Sequence, residues 1–439
     1  MGGGIAGLSA AYQLQKQGRS FLLLEKTGRL GGMIRSERKE GFLLEYGPNS
    51  FLTSHETLME TAKELGILGQ LLPAQDACKK RYVREDKNLQ LVPMSFGSFL
   101  KTPLLSVRGK FRLFLEPWIP RKKGGREETV ADFVSRRLGK NALNLVTPLI
   151  RGIYAGDPYQ ISMEAIAPEW VEKEEKHGSL FKALLKNRSS SPRPKMYSFQ
   201  GGMETLVHAL VKTVKTSCQV CCTLTGLKKE EGHWVIQWEQ NGKIEIQKTR
   251  TIISALPAYE AAKLFKPFIS DGAALEQVQY LPMAVLHLGT KQNTCINTLD
   301  GFGFLSGVHD NSFLLGCLWS SSAFRNRAPE SETLLTCFAG GSVHPEILKY
   351  SDEELTEKGE KDLNGLLFST PKTTLTQLTK HTRAIPQYSL GHRRRITKLQ
   401  NELEEQHNIF LVGNYVDGIS VNATMKQAIT TVKSMYAAT

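Results

Sequence analysis

Apolar positions along the first fifty residues change period twice. Leu8, Ala11 and Leu14 recur at helical spacing and Gly18 ends the run, so a short helix is expected there. Phe21-Leu22-Leu23-Leu24 then reads as a buried parallel strand, which completes the second half of a βαβ unit. A stretch of mixed apolar and basic residues follows near 95–195 and ends in the polar segment Asn187–Pro194, expected to be a loop or linker. From about residue 196 the α/β pattern resumes. A helix is expected over Met203–Lys212, strands over Cys218–Thr223 and Trp234–Trp238, and a strand over Thr251–Ala255 closed by Pro257. Residues 276–380 look strand-rich, and the last thirty give a strand over Ile409–Val412, a glycine-bearing turn and a closing helix.

The pattern predicts an α/β protein. Its Rossmann-like dinucleotide domain is assembled from discontinuous segments (1–80, 196–275 and 381–439), beside a strand-rich substrate domain (276–380) and a mainly helical lobe (90–195). With 439 residues, 41% of them hydrophobic, the chain can bury a core large enough for two or three domains. The net charge of +13 suits nucleic acid, an acidic membrane surface or an anionic substrate, and only its position can decide among them. Neither a spanning helix nor a secretory signal is expected, because no long uncharged apolar run occurs. Seven cysteines are too few for a disulfide scaffold, and Cys218, Cys221 and Cys222 lack the second pair that a zinc site requires. No metal is expected.

The chemistry begins at Gly2-Gly3-Gly4-Ile5-Ala6-Gly7, which satisfies GxGxxG. Gly2 serves the tight turn, Gly4 lets pyrophosphate approach the backbone, and Gly7 allows close helix–strand packing. Glu25 ends the following apolar strand, where a carboxylate can accept both ribose hydroxyls of an adenosine. A Rossmann unit also places a strand of about five residues before its first glycine. Only Met1 precedes Gly2, so the central strand of the parallel sheet is expected to be lost, whether through truncation or a start assigned late.

FAD rather than NAD is indicated by Gly28-Arg29-Leu30-Gly31-Gly32, only a few residues beyond the acid. The paired glycines Gly31 and Gly32 admit close approach of the cofactor, and Arg29 can neutralise phosphate. With Ser36 this stretch resembles the RxGGxxxS extension of the flavin amine oxidase superfamily. The segment from Gly413 through Asp417 to Asn422 resembles that superfamily's closing motif. There a helix N-terminus faces the flavin, with Val421 the expected backbone donor. No cysteine lies near it, so the FAD is expected to be noncovalent.

Leu44–Phe51, Arg151–Pro158, Phe199–Met203, Asp300–Leu305, Ser322–Pro329 and Ile385–His392 resemble protoporphyrinogen oxidases, especially the plant-type branch, over nearly the whole chain. The resemblance implies six-electron aromatisation of a porphyrinogen with dioxygen as acceptor, and no side chain that must act as acid or base. It further implies Gly47, Pro48, Asn49, Ser50, Val220, Gly413 and Asn422 as cofactor contacts. Gly156, Phe302, Leu305 and Phe324 would line the substrate site, and Arg81 would bind a propionate. A coproporphyrinogen oxidase of the same fold, or another amine-oxidase-like oxidoreductase, is the alternative. Between residues 96 and 123, aromatic and aliphatic residues interleaved with Lys101, Arg108, Lys110, Arg112, Arg121, Lys122 and Lys123 fit a peripheral membrane surface. The expected location is therefore cytoplasmic, or peripheral on the cytoplasmic membrane face. No nucleic acid is expected as partner, and a homodimer is compatible with the resemblance.

Overall fold

The computed structural model describes residues 1–122, 124–186, 194–296, 298–368 and 373–436. Most of the expected loop at 187–194, and Lys123, therefore lie outside the described residues.

Helix Ile5–Lys16 forms where expected: Gly4 is its N-cap, and Gly18 follows its end at φ +66°, a conformation that favours glycine. It packs on the closing helix Val421–Met435 and on helix Glu204–Val214, burying Leu8, Ala10, Ala11 and Leu14. Beneath it run short parallel strands. Cys218–Gln219 pairs with Leu23–Leu24, and Ile252–Ser254 pairs with Ile409–Leu411. Met1 and Gly2 fill the row between the two pairs. The Met1 amino group donates to the Ile253 carbonyl (2.8 Å), Ala255 N–H to Met1 (2.8 Å) and Gly2 N–H to Leu24 (2.8 Å). The expected strand Phe21–Leu24 is accordingly shortened to Leu23–Leu24, and Leu22 stays exposed, because no neighbouring row reaches it.

A second correction concerns the strand expected over Cys218–Thr223. Cys221 adopts φ +57°, which breaks the run: Cys218–Gln219 joins the parallel rows, while Cys222–Glu230 turns into a three-stranded antiparallel sheet with His233–Gln240 and Lys243–Thr249. Trp234 and Trp238 of its middle strand anchor a core shared with Leu399, Leu403 and Leu411.

The largest sheet has seven strands, in the order Thr373–Pro386, Tyr280–Lys291, Glu332–Gly340, Gly316–Trp319, Gly303–Ser306, Tyr82–Glu85 and Asn88–Leu91. All neighbours are antiparallel except Gly303–Ser306 against Tyr82–Glu85. One face is sealed by helix Asp352–Leu363 through Leu355 and Leu363. The short helices between Phe96 and Lys186 form the remaining body. A buried ion pair of Glu116 with Arg137 ties them together, and Glu116 also accepts from Ser179 Oγ (2.5 Å) and Leu180 N (2.9 Å). Among the described residues no helix is long and apolar enough to cross a membrane.

Candidate flavin and substrate site

The dinucleotide end is built by glycines that leave no room for side chains. A Cβ on Gly7 would overlap the Gly2 carbonyl oxygen, and one on Gly2 would stand 2.8 Å from the Ala255 oxygen. Gly4 differs, since a Cβ there would meet nothing nearer than Gly32 Cα at 3.9 Å. That open ground faces a twelve-residue helix whose N-terminus has no side-chain cap, so its first N–H groups are available to an anion. Glu25 reaches the same turn, accepting from Gly3 N (2.6 Å) and from Thr27 N and Oγ1 (both 2.8 Å). Gly31 (φ +111°) donates to the Gly3 carbonyl (2.7 Å), and Gly32 (φ +58°) brings the second glycine loop against the first. The Val220 carbonyl, beside the Glu25 strand end, accepts from Gln240 Nε2 (2.8 Å).

The Arg29 guanidinium donates to the Gly32 and Ile34 carbonyls (2.6 Å each) and pairs with Glu204 (3.1 Å), contacts that help to build the glycine loop. Asn422 is also committed: its amide holds Leu58 N (3.2 Å), the Leu52 carbonyl (3.0 Å) and the His55 carbonyl (2.8 Å), leaving only its backbone for a cofactor. Val421 opens the closing helix, where Ser420 caps Ala423 N (3.2 Å), and Gly413 lies at φ +145° with its N–H on Gln427 (3.3 Å). An uncapped helix N-terminus to donate to phosphate, an acid to accept at the ribose end and a second glycine pair are the features FAD needs. The residues present fit that cofactor.

Between the two ends runs the segment Glu45–Ser50. A Cβ on Gly47 would strike the Met33 carbonyl, so only glycine fits there, and Pro48, Asn49 and Ser50 follow half-buried. Asn49 Nδ2 donates to the Gly47 carbonyl (3.3 Å), and Ser198 Oγ donates to the Asn49 carbonyl (3.0 Å). Two histidines of the large sheet hold its backbone. His287 Nε2 lies 3.1 Å from the Glu45 carbonyl, and His381 Nε2 lies 2.9 Å from the Tyr46 carbonyl. Burial lowers the pKa of both, that of His287 to about 4. The folded protein thus keeps His287 neutral while the unfolded chain protonates it near its ordinary 6.5, so its contribution to stability is full above pH 6.5 and is lost as pH falls toward 4. His287→Gln keeps a donor but does not titrate. Its melting temperature relative to the parent is expected to rise steadily from pH 6.5 to pH 4; a constant difference would show that His287 does not titrate this way.

Arg81, Phe302 and Leu305 lie at strands Tyr82–Glu85 and Gly303–Ser306, the sixth and fifth of the large sheet. Strand pairing sets Tyr82 beside Phe304 and Val83 beside Leu305, which brings Arg81 next to Phe302. The Arg81 guanidinium lies 5.8 Å over the Phe302 ring and is exposed. Leu305 fills the space over Gly152 of helix Leu143–Tyr154, and Gly156 abuts Gln387, whose Nε2 donates to the Tyr154 carbonyl (2.8 Å). Phe324 is only 1% exposed, packed with Cys78, Leu318 and Ala323 in a cluster against which Phe302 also packs. Absent from the expected set were Glu45, Ser198, His287 and Arg327. A carboxylate in the otherwise apolar strand Phe42–Glu45 was the one local signal; the others depend on partners far away in sequence.

Residues 5–434 match the flavin containing amine oxidoreductase family. Chloroplastic protoporphyrinogen oxidase 1 of Spinacia oleracea is 30% identical over 98% of this chain and 82% of its own length. Coproporphyrinogen III oxidase of Bacillus subtilis (strain 168) is 25% identical over 96% of this chain and 94% of its own. Among solved structures, one assigned to a protoporphyrinogen oxidase of Exiguobacterium superposes with a TM-score of 0.85 at 23% identity, covering 99% of this chain and 97% of that one.

Proposed function

Because the chain belongs to the flavin-containing amine oxidoreductases and is an FAD-dependent oxidoreductase, we propose that it oxidises protoporphyrinogen IX to protoporphyrin IX with dioxygen as acceptor. The observation that carries this reading is an exposed guanidinium set over an aromatic ring at the start of two strands of the large sheet, in a chain similar to a plant protoporphyrinogen oxidase over 98% of its length. Bound FAD supplies the hydride acceptor. The protein supplies orientation: Phe302 and Leu305 offer apolar surface to a macrocycle, and Arg81 offers a two-pronged donor to a propionate. No side chain is required as acid or base. Coproporphyrinogen III is the second reading, favoured by similarity to the bacterial enzyme over nearly all of that enzyme's length. Steady-state assay on both porphyrinogens decides between them: kcat/KM is expected to be higher for protoporphyrinogen IX, and the reverse order transfers the function to the coproporphyrin-forming class. Acid precipitation is expected to release the flavin, since no cysteine adjoins the closing motif; colour remaining with the pellet contradicts a noncovalent cofactor.

The helical body presents an apolar face that fits a membrane surface. Phe96, Val107, Phe111 and Trp118 are exposed, Trp118 at 76%, with Lys101, Arg108 and Arg121 exposed among them. Leu149, Ile153, Leu184 and Leu185 of neighbouring helices are exposed as well. An aromatic-rich face rimmed by cations suits the headgroup region of an anionic bilayer. Phe111→Ser with Trp118→Ser is expected to weaken sedimentation with phosphatidylglycerol vesicles by about tenfold to hundredfold, with FAD content unchanged. Unaltered sedimentation would move the contact elsewhere.

A further inference from the structure

A buried charge cluster joins the flavin side of the molecule to the substrate side, and the proposed chemistry leaves it without a task. Glu45 accepts from Ser36 Oγ (2.6 Å) and Met203 N (2.9 Å), and the Arg327 guanidinium stands 3.4 Å from the same carboxylate. The two side chains are 3% and 2% exposed. Arg327 also donates to Ser198 Oγ (2.6 Å), the hydroxyl that holds the Asn49 carbonyl. One side chain therefore contacts Glu45 directly and reaches Asn49 through Ser198, at the two ends of the segment that carries Gly47 and Pro48. At its own end Arg327 follows helix Ser320–Ala323, accepts Leu43 N–H on its carbonyl (3.0 Å) and sets its guanidinium 5.5 Å over the Phe324 ring.

Such a cluster is expensive to bury. Desolvation pushes the Glu45 carboxyl up to about 7 and lowers Arg327 in spite of their attraction, and one Arg327 nitrogen makes no hydrogen bond at all. Apolar residues of similar size would commonly serve stability as well or better. Positioning gives the cost a use. Its four contacts run to Glu45, to Ser198, to Leu43 and to the face of Phe324, whose cluster Phe302 packs against.

We propose that Arg327 is a positioning residue for flavin reduction: by bracing Glu45 and, through Ser198, the Asn49 carbonyl, it fixes the flavin-side segment 45–50 relative to the Phe324–Phe302 wall. Transfer between two bound partners is sensitive to displacements of about 1 Å, which cost roughly a hundredfold in rate. This inference rests on the flavin and porphyrinogen assignments above.

The test uses FAD-replete Arg327→Met, Arg327→Lys and the double variant Glu45→Gln/Arg327→Met. For each, the limiting rate of anaerobic flavin reduction by protoporphyrinogen IX, the absorption bands of the substrate-free flavin and the melting temperature are measured. Arg327→Met is expected to slow reduction by about tenfold to hundredfold, with a much smaller change in substrate affinity, and to shift the flavin bands. Arg327→Lys is expected to recover part of both. The double variant removes the unpaired carboxylate, so it should regain melting temperature without regaining rate or bands. If Arg327 only neutralised Glu45, the double variant would restore all three, and the proposal falls. Parent-like rate and bands in Arg327→Met overturn it directly. Should that variant fail to fold, the lysine and double variants carry the same comparison. A parent flavin that porphyrinogen does not reduce defeats the substrate assignment alone, and the bands of the substrate-free variants still decide the role of Arg327.

Discussion

Gly7→Ala is expected to yield a protein purified without flavin. The added methyl would overlap the Gly2 carbonyl oxygen and approach Ala255 Cβ at 3.3 Å, and the first of these is backbone that cannot rotate aside. Relief requires helix Ile5–Lys16 to move off the parallel strands, which carries its uncapped N-terminus away from the pyrophosphate position. Overpacking costs about 1–3 kcal/mol in stability, and the loss of phosphate contacts adds to it, so FAD affinity should fall by roughly a hundredfold or more. Gly97→Ala is the control, because a Cβ there meets nothing within 4 Å. Flavin content by absorbance and melting temperature check both. A Gly7→Ala protein with full FAD would mean that the glycine turn is not the cofactor's pyrophosphate site.

Arg81→Ala is expected to raise KM for protoporphyrinogen IX and lower kcat/KM while leaving the flavin spectrum unchanged. A charge-assisted bond to a carboxylate contributes about 1.5–3 kcal/mol, which corresponds to roughly a tenfold to hundredfold loss. Arg81 is exposed over Phe302 and forms no part of the cofactor cradle, so its loss should not disturb the fold. Arg81→Lys should recover only part, since a point ammonium cannot reproduce the guanidinium fork. On the diester of protoporphyrinogen IX, which lacks free carboxylates, parent and variant should perform alike. Equal kcat/KM on the free acid would remove Arg81 from the site and point to the basic residues of the helical body.

What could be read from the sequence was whatever depends on neighbours in the chain. The roles expected of Gly2, Gly4 and Gly7 follow from a local turn whose geometry tolerates no side chain at Gly2 and Gly7, and that of Glu25 from its place at a strand end. The protein contacts of Arg29 are not legible locally, because they include Glu204, 175 residues away. The depth of Phe324 is not legible either, because aromatic residues in a sheet look alike whether they form a surface or lie just under it. The break at Cys221 depends on one left-handed residue between two apolar runs, which periodicity does not register. The bracing of segment 45–50 was hidden most completely. Glu45 and Arg327 are brought together only when the ribbon Ser36–Glu45 docks on the large sheet, and a single acid in Phe42–Glu45 gives no hint of which cation will answer it.

The central claim is that this protein passes electrons from a porphyrinogen to its own FAD. Mixing the purified yellow protein with protoporphyrinogen IX under strict anaerobiosis tests it in one turnover: the flavin absorbance should bleach within the dead time of hand mixing, at one flavin reduced per two-electron equivalent consumed. Admission of dioxygen should then restore the yellow colour with the appearance of porphyrin fluorescence. A flavin that stays oxidised with protoporphyrinogen IX and with coproporphyrinogen III alike, yet bleaches with dithionite, would contradict the account and leave an FAD oxidoreductase of another substrate class.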